Sequence, residues 1–250
     1  MVCLGVKYKN DLSYMGRETF LVPMIWEENS FPVVSPGVGM VKEHHQLPSI
    51  AVTPNSHKTS FHDDFNQRKL DLSWTFLRTP GDFFELTEKG MLKINLKSST
   101  ISDLTCPAFI GRRIENHDFT ASMKIQFLTK INNEEAGMVL ISNNKNYILL
   151  TYNNQNIRLT EVVEGIENIL GEYPYAPKED KYLKVISKDH NLTFYTSVNN
   201  MDWKKLKEGV SGATIDNKMF TGSFVGFYGS SNGVKSKNYF EADWFDYINE

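Results

Sequence analysis

The most constraining feature of this sequence is a long series of short apolar segments separated by turn residues. From residue 61 onward the segments alternate or run apolar, and clusters of Asn, Asp and Gly lie between them. Residues 119–127 place apolar or small side chains at the odd positions, which is typical of a half-buried strand. The nearest approach to a helical repeat, at residues 161–169, is interrupted by Gly165. About a dozen strands without helices between them predict an all-β, antiparallel sandwich of the jelly-roll type.

The pattern divides the chain into three parts. Residues 1–41 contain strand-like runs and turns. Residues 42–60 carry two prolines, three histidines and no sustained period, which indicates a linker. Residues 61–250 have the size of one sandwich domain. Because the first part is too short to bury two sheet faces, we expect it either to lean on the sandwich or to be the end of something larger.

Composition and charge exclude several classes of function. The 250 residues carry 27 basic and 30 acidic side chains without a basic stripe, so nucleic acid is not an expected partner. No apolar run approaches the about 20 residues that a membrane span needs, and the first residues lack the pattern of a signal peptide. Cys3 and Cys106 predict idle thiols of a reducing compartment rather than a disulfide framework. We therefore expect a soluble, cytoplasmic protein without a membrane partner.

Motifs for catalysis or metal binding are scarce. The chain contains no GxSxG, HExxH, P-loop, EF-hand or CxxC motif. Two adjacent acidic pairs, at residues 63–64 and 134–135, would point apart on strands and do not predict a catalytic pair of carboxylates. His44 and His45 are also adjacent, so a shared metal site is not expected there.

A calcium site is conceivable where the first and last strands of the sandwich pair. Asp63 and Asp64 would then approach Asp243 and Asp246, and carboxylate oxygens suit calcium. Turn-capping aspartates explain the same residues more simply. The sequence therefore predicts no metal and no cofactor.

Aromatic and arginine side chains are weaker candidates for sugar binding. Flat rings cover the apolar faces of pyranoses. Trp74, Trp203 and Trp244 nevertheless lie within strand-like runs, so we expect them to fill the core, with Trp203 the most exposed. Arg112 and Arg113 would suit carboxylates or polar sugars, but at a strand end we expect them to be solvated.

Residues 16–34, GRETFLVPMIWEENSFPVV, join an Arg–Glu pair to an apolar run. Charges such as those of Arg17 and Glu18 rarely border so apolar a run unless they are paired or exposed in a cleft. The polar residues 27–30 indicate a turn, and residues 31–34 a returning strand. This stretch predicts a β-hairpin with Arg17 at its entrance.

Residues 15–34 resemble the signature LGRETFLAPV…W…GWPVV, which closes the catalytic domain of glycoside hydrolase family 43 in its β-xylosidase and α-arabinofuranosidase branch. Met15 replaces the usual leucine and Phe31 the usual tryptophan. The remainder resembles that branch's C-terminal concanavalin A-like sandwich, so the similarity covers essentially the whole chain. The matching segments, in the family's order, lie at residues 64–65, 72–74, 77–80, 111–113, 135–137, 202–203, 220–226 and 242–247.

The resemblance implies that residues 1–41 are the last strands of a five-bladed propeller whose earlier blades are absent. The family's catalytic aspartates and glutamate lie upstream of the signature, so none maps onto this chain. Arg17 matches the signature arginine, which in the family hydrogen-bonds the sugar in the −1 subsite through fixed, charged donors. Phe220 matches a sandwich phenylalanine that closes the pocket. The resemblance thus implies substrate-binding roles for Arg17 and Phe220.

The predicted function is that of the C-terminal region of a β-xylosidase-like glycoside hydrolase. Its substrates would be xylo- or arabino-oligosaccharides, and its partner a propeller domain or a second copy of the chain. Members of the family invert configuration with a general acid and a general base. Because neither residue maps onto this chain, we expect it to be inactive alone. Two alternatives stay open: a free-standing carbohydrate-binding or lectin-like module, and a remnant of a longer reading frame.

Overall fold

Two antiparallel β-sheets, packed face to face, form the main body of the computed structural model. The described residues are 1–42, 45, 60–154, 156–175, 181–217 and 220–250. Most of the predicted linker at residues 42–60, including His44, lies outside these ranges, and the predicted domain boundaries stay predictions. The described ranges contain no α-helix, and a 3-10 helix at Gly212–Ile215 is their one helical element.

The strands are short and follow one another throughout the chain. In chain order they are β1 (Val2–Val6), β2 (Arg17–Leu21), β3 (Met24–Ile25), β4 (Val33–Val34), β5 (Ser60–Asp63), β6 (Phe84–Leu86), β7 (Leu92–Asn95), β8 (Ala108–Arg113), β9 (Phe119–Gln126), β10 (Glu135–Asn143), β11 (Asn146–Tyr152), β12 (Asn156–Val163), β13 (Ile166–Pro174), β14 (Lys181–Lys188), β15 (Asn191–Ser197), β16 (Lys204–Ser211), β17 (Phe224–Ser230) and β18 (Tyr239–Asn249). The prediction of an all-β antiparallel sandwich preceded by a few strands is confirmed.

The two sheets of the sandwich have six and eight strands. The six-stranded sheet has the order β13-β12-β11-β10-β17-β8. The eight-stranded sheet has the order β16-β15-β14-β9-β18-β7-β6, and β5 also pairs with β18. The first strand of the sandwich therefore lies beside the last, as expected. The hairpin β12–β13 occupies the stretch that came closest to a helical repeat, with Val163 opposite Ile166.

The main core lies between the two sheets. In β9 the odd-numbered residues, among them Phe119 and Met123, are fully buried, while Thr120 and Lys124 alternate with them on the outer face. In β10 all four residues 138–141 are buried, because Met138 and Leu140 face the main core while Val139 and Ile141 face a second apolar cluster. The continuous apolar run of residues 137–141 in the sequence, typical of a strand covered on both faces, is thus explained.

The N-terminal strands form two small sheets outside the sandwich. Strand β1 pairs with β2, and Arg17 lies opposite Val6. Strand β3 pairs with β4, with Ile25 opposite Val33. The predicted hairpin is therefore correct only for residues 24–34. Arg17 does not stand at its entrance, since the strand that carries Arg17 pairs with the upstream strand instead.

Within the described ranges, no helix has the length and apolar character needed to cross a bilayer.

Candidate functional site

The structure brings together the two side chains that the sequence singled out as sugar-binding residues. The Arg17 guanidinium carbon lies 4.1 Å from the centroid of the Phe220 ring. Both side chains are exposed, Phe220 to 63%. Arg17 begins β2, whereas Phe220 lies in the loop between the 3-10 helix and β17. The site therefore lies at a junction between the N-terminal strands and the sandwich.

Backbone hydrogen bonds hold this junction. The Ser223 amide donates to the carbonyl of Tyr14 at 2.6 Å, and the Asn217 amide donates to the carbonyl of Ser13 at 2.8 Å. The Ser13 amide in turn donates to Asp216 Oδ1 at 2.7 Å. These bonds fix residues 13–14 against both ends of the loop that carries Phe220.

Two glycines permit a very close approach of the two backbones. Gly16 has a φ of +68°, and a Cβ there would lie 2.6 Å from the carbonyl carbon of Thr221. A Cβ at Gly222 would lie 2.5 Å from the carbonyl oxygen of Met15. Any larger residue would separate the segments. The position of Arg17 beside Phe220 therefore depends on the glycine that immediately precedes Arg17 in the sequence.

The Arg17–Phe220 pair has the chemistry of a polar clamp. Stacking on the ring restrains the plane of the guanidinium but leaves its N–H edges directed outward. Within the described part of the chain, no carboxylate forms an ion pair with Arg17. The guanidinium can thus donate hydrogen bonds to a ligand, while the phenyl ring offers it an apolar surface.

The adjacent glutamates of β10 and its preceding turn point apart, as predicted. Glu134 accepts hydrogen bonds from the Lys130 amide and from Asn238. Burial alone would raise the pKa of Glu134, but these hydrogen bonds outweigh it and lower the pKa. Glu135 accepts from Thr151 at 2.8 Å, and burial raises its pKa. The two carboxylates have separate environments and do not face a common cleft.

The four aspartates considered for calcium also have separate partners. Asp63 accepts from the Phe65 amide and from Trp74 Nε1, and Asp64 accepts from the Asn66 amide. Asp243 pairs with Lys124 at 2.8 Å, and Asp246 contacts His62 at 2.6 Å. The turn-capping interpretation therefore applies to residues 63 and 64. Across the described ranges, no group of three or more His, Cys, Asp or Glu residues could hold a metal ion.

The three tryptophans in strand-like runs differ in burial. Trp74 is buried in the core, as expected. Trp203 is half-buried beneath Lys184, whose Nζ lies 3.8 Å from the ring centroid. Trp244 is half-buried and contacts Tyr182 at a centroid distance of 6.1 Å. The expectation of core burial is therefore confirmed for Trp74 and wrong for Trp244, and Trp203 is partly exposed as expected.

The paired arginines at the end of β8 also differ from each other. Arg113 is exposed, as expected. Arg112 is only 4% exposed and forms an ion pair with Glu115. Its guanidinium stacks on Phe61 at 4.1 Å and on Tyr247 at 4.7 Å. The expectation of a solvated Arg112 is wrong, because the alternation of β8 turns this residue inward toward aromatic rings of the facing sheet.

An exposed apolar surface extends over the N-terminal strands. Trp26 is 70% exposed and Phe31 is 89% exposed, values unusual for side chains of this size. The other exposed apolar residues of these strands and their connections are Met1, Val2, Leu4, Tyr8, Leu21, Met24, Ile25, Val33, Val38, Met40 and Val41. This surface is defined here as the apolar edge.

Sequence reasoning missed the residues that position the site. Tyr14, His117 and His190 form a buried cluster next to the junction, yet they are widely separated in the sequence and belong to no motif.

Comparison with known proteins places these observations in a family. Residues 62–248 match the model of the β-xylosidase C-terminal concanavalin A-like domain. A non-reducing end α-L-arabinofuranosidase of Bacteroides ovatus is 33% identical over 98% of this chain and 48% of the relative. A xylosidase/arabinosidase of Butyrivibrio fibrisolvens is 30% identical over 98% of this chain and 49% of the relative.

A solved structure gives the same result. The family 43 protein from a Bacteroides ovatus xyloglucan locus superposes with a TM-score of 0.89 at 31% identity, over 100% of this chain and 51% of that one. The chain spans about half the length of the curated relatives that it matches. It therefore belongs to the family of the C-terminal concanavalin A-like domain of glycoside hydrolase family 43 β-xylosidases and α-arabinofuranosidases.

Proposed function

We propose that this chain supplies the closing wall of a sugar-binding pocket in a glycoside hydrolase that acts on xylo- or arabino-oligosaccharides. Arg17 donates hydrogen bonds to a sugar, Phe220 covers its rim, and a companion catalytic domain supplies the general acid and base. The single observation that carries this proposal is the Arg17–Phe220 pair, joined at 4.1 Å across the junction of two parts of the chain.

The pair suits a sugar because its two members offer complementary surfaces. A pyranose or furanose presents hydroxyl groups around its rim and C–H groups on its faces. The guanidinium supplies several fixed donors that stay charged at any ordinary pH. Both side chains are exposed, so a ligand can reach them without displacing the core.

A companion domain is supported by the apolar edge and by the length of the relatives. Trp26 and Phe31 would be covered if further strands packed against β3 and β4. Both curated relatives are about twice as long as this chain, and their names describe activity on arabinosides and xylosides. The carboxylates of Glu134 and Glu135 are occupied by internal hydrogen bonds, so this adjacent pair does not act as an acid and a base.

The carbohydrate-binding-module alternative has weaker support. A binding platform needs open ring faces, whereas Lys184 covers Trp203 and Tyr182 is buried.

Hydrolysis of nitrophenyl β-xyloside and α-arabinofuranoside tests the proposal. The purified chain should give no turnover. A chimera should hydrolyse one of these substrates if the half of the Bacteroides ovatus relative that this chain does not match is joined to it. In the chimera, Arg17→Met and Phe220→Ala should each lower kcat/KM by at least about tenfold.

Arg113→Met is the matched control, because Arg113 is also exposed and lies 5.2 Å from a ring centroid, that of Phe224. This variant should keep full activity. Turnover by the lone chain would refute the need for a companion domain, and full activity of both site variants would refute the roles of Arg17 and Phe220.

A further inference from the structure

Three buried rings pack together at Tyr14, three residues before Arg17 of the Arg17–Phe220 site. Tyr14 is fully buried, and His117 and His190 are 3% and 5% exposed. Tyr14 comes from the N-terminal segment, His117 precedes β9, and His190 lies in the turn between β14 and β15. These three residues are called the histidine joint below.

The rings of the joint are in direct contact. His190 Nε2 and His117 Nδ1 share a hydrogen bond of 2.7 Å. The centroid of the Tyr14 ring lies 4.8 Å from that of His190 and 5.7 Å from that of His117. The tyrosine of one segment therefore packs against an imidazole pair contributed by the other.

The neutral histidine pair can accept a further proton only at a buried nitrogen. One proton lies between the two imidazoles, and whichever ring donates it, one outer nitrogen of the neutral pair carries no proton. His190 Nδ1 has no hydrogen-bond partner among the described groups. An added proton would place a positive charge among buried rings, and burying a charge without a partner is costly.

Charged groups surround the joint on each element that packs against it. Lys9 Nζ lies 2.6 Å from Asp118 Oδ2 and 2.8 Å from Asp189 Oδ1, and Asp216 lies beside Tyr14. Burial and then Lys9 lower the pKa of His190, while Asp118, Asp216 and Asp189 oppose this shift. Burial and then His190 lower the pKa of His117 to about 4, against an opposing contribution from the Lys7 backbone and Asp118. Within these surroundings the neutral pair is favoured at neutral pH.

The joint is mechanically connected to the site. The Tyr14 carbonyl accepts the Ser223 amide, and Gly16 touches the backbone of Thr221. The intervening Met15 has its carbonyl against Gly222. If Tyr14 leaves its position, the segment that carries Arg17 cannot remain against the loop that carries Phe220.

We propose that the histidine joint is an acid-sensitive latch. With both imidazoles neutral, it holds Tyr14 and thereby positions Arg17 beside Phe220. Protonation of the pair releases residues 12–17 from the sandwich while the sandwich itself stays folded. The consequence for sugar contact rests on the proposed function above, whereas the latch itself does not.

Hydrogen–deuterium exchange of the full chain, corrected for the intrinsic pH dependence of exchange, tests the latch. Between pH 6.5 and pH 4.5, protection of residues 12–17 should fall on the order of 10- to 100-fold, because an unfolded histidine gains a proton in this range and the folded pair resists it. Strands β10 and β17 should keep their protection. Because no sugar is used, failure of this test is distinguishable from failure of the proposed sugar site.

His190→Gln retains an amide donor but cannot titrate, so its residues 12–17 should show a flatter pH profile. His62→Gln is the matched control, since His62 is exposed beside Asp246 and is not part of the joint. This control should reproduce the wild-type profile. Nitrogen NMR of the histidine rings in the wild-type chain should show the pair neutral while residues 12–17 are protected and protonated only where that protection is lost, which keeps the test valid if His190→Gln does not fold.

Three results would overturn the latch. The first is protonation of both histidines while residues 12–17 stay protected. The second is an unchanged pH profile in a folded His190→Gln variant. The third is loss of protection in β10 and β17 at the same pH as in residues 12–17, because it would show one cooperative acid transition without a separate joint.

Discussion

The N-terminal strands and the sandwich are made from similar sequence patterns but bury very different amounts of apolar surface. In β2 the side chains alternate between exposed and half-buried, and Leu21 is 63% exposed. In β10 the six consecutive residues 136–141 are all buried. The difference arises because each sandwich sheet faces another sheet, whereas β1–β4 form two-stranded sheets with open faces and edges.

The contact between the two regions differs from both of them. It includes backbone hydrogen bonds, two glycines in close approach, the buried ring of Tyr14 and the ion pairs of Lys9 with Asp118 and Asp189. Because most of these contacts are polar, we expect this seam to fix geometry more than it adds stability. The candidate site lies on this seam, and four substitutions separate the contributions of the two regions.

Phe227→Ala should have the largest effect, because Phe227 is fully buried and contacts the rings of Phe65, Trp74 and Phe245. Removing a buried phenylalanine should lower the free energy of unfolding by about 3–5 kcal/mol. Urea denaturation followed by circular dichroism measures the loss. A loss below about 1 kcal/mol would mean that the sandwich core does not dominate stability.

Glu134→Gln should have the next largest effect. Glu134 is 1% exposed; its Oε2 accepts from backbone amides and Asn238, and its Oε1 accepts from the Ser236 hydroxyl. A neutral amide would weaken these charge-assisted hydrogen bonds and could no longer accept the Ser236 proton at its nitrogen. The expected loss is about 2 kcal/mol at pH 7.

Acid should destabilise the junction and the sandwich at different pH values. The folded pKa of Glu134 lies below its ordinary value of 4.5, so its contribution is present above pH 4.5 and is lost as pH falls through the lower folded value. The His117 contribution is already lost as pH falls from 6.5 toward about 4. Acid titration should therefore loosen the junction before the sandwich, and Glu134→Gln should remove only the second step.

The sequence predicted the sandwich better than the seam, and particular residues explain why. Alternation at residues 119–127 reports burial directly, because each side chain's environment follows from its place in the strand. The burial of Arg112 was not predicted, because its partners Phe61 and Tyr247 come from strands remote in sequence. Arg17 and Phe220 were identified by resemblance alone. Their contact depends on how residues 13–16 cross the loop before β17, and no local pattern encodes that crossing.

Gly16→Ala should act on the seam rather than on the sandwich. The new methyl group would lie 2.6 Å from the Thr221 carbonyl carbon, in a backbone conformation that alanine rarely adopts. Opening of residues 12–17 should become easier by about 1–3 kcal/mol, measured by hydrogen exchange. Gly37→Ala is the matched control, because Gly37 has a similar φ of +77° but nothing within 4 Å of its Cβ position. Equal effects of the two substitutions would show that backbone strain, and not the close crossing at Thr221, is responsible.

Trp26→Ser should have the smallest effect on the lone chain and therefore gives the sharpest test of the apolar edge. With 70% of its surface already in water, Trp26 should change the free energy of unfolding by less than about 0.5 kcal/mol when it is replaced. Trp203→Ser provides the matched comparison, because Trp203 is half-buried beneath Lys184 and should cost more. In the chimera with a companion domain, the order should reverse: Trp26→Ser should become the more destabilising substitution, since the added strands would bury that ring. Unfolding midpoints of both variants in both proteins decide the matter. If Trp26→Ser remains neutral in the chimera, the apolar edge is not where the companion domain packs.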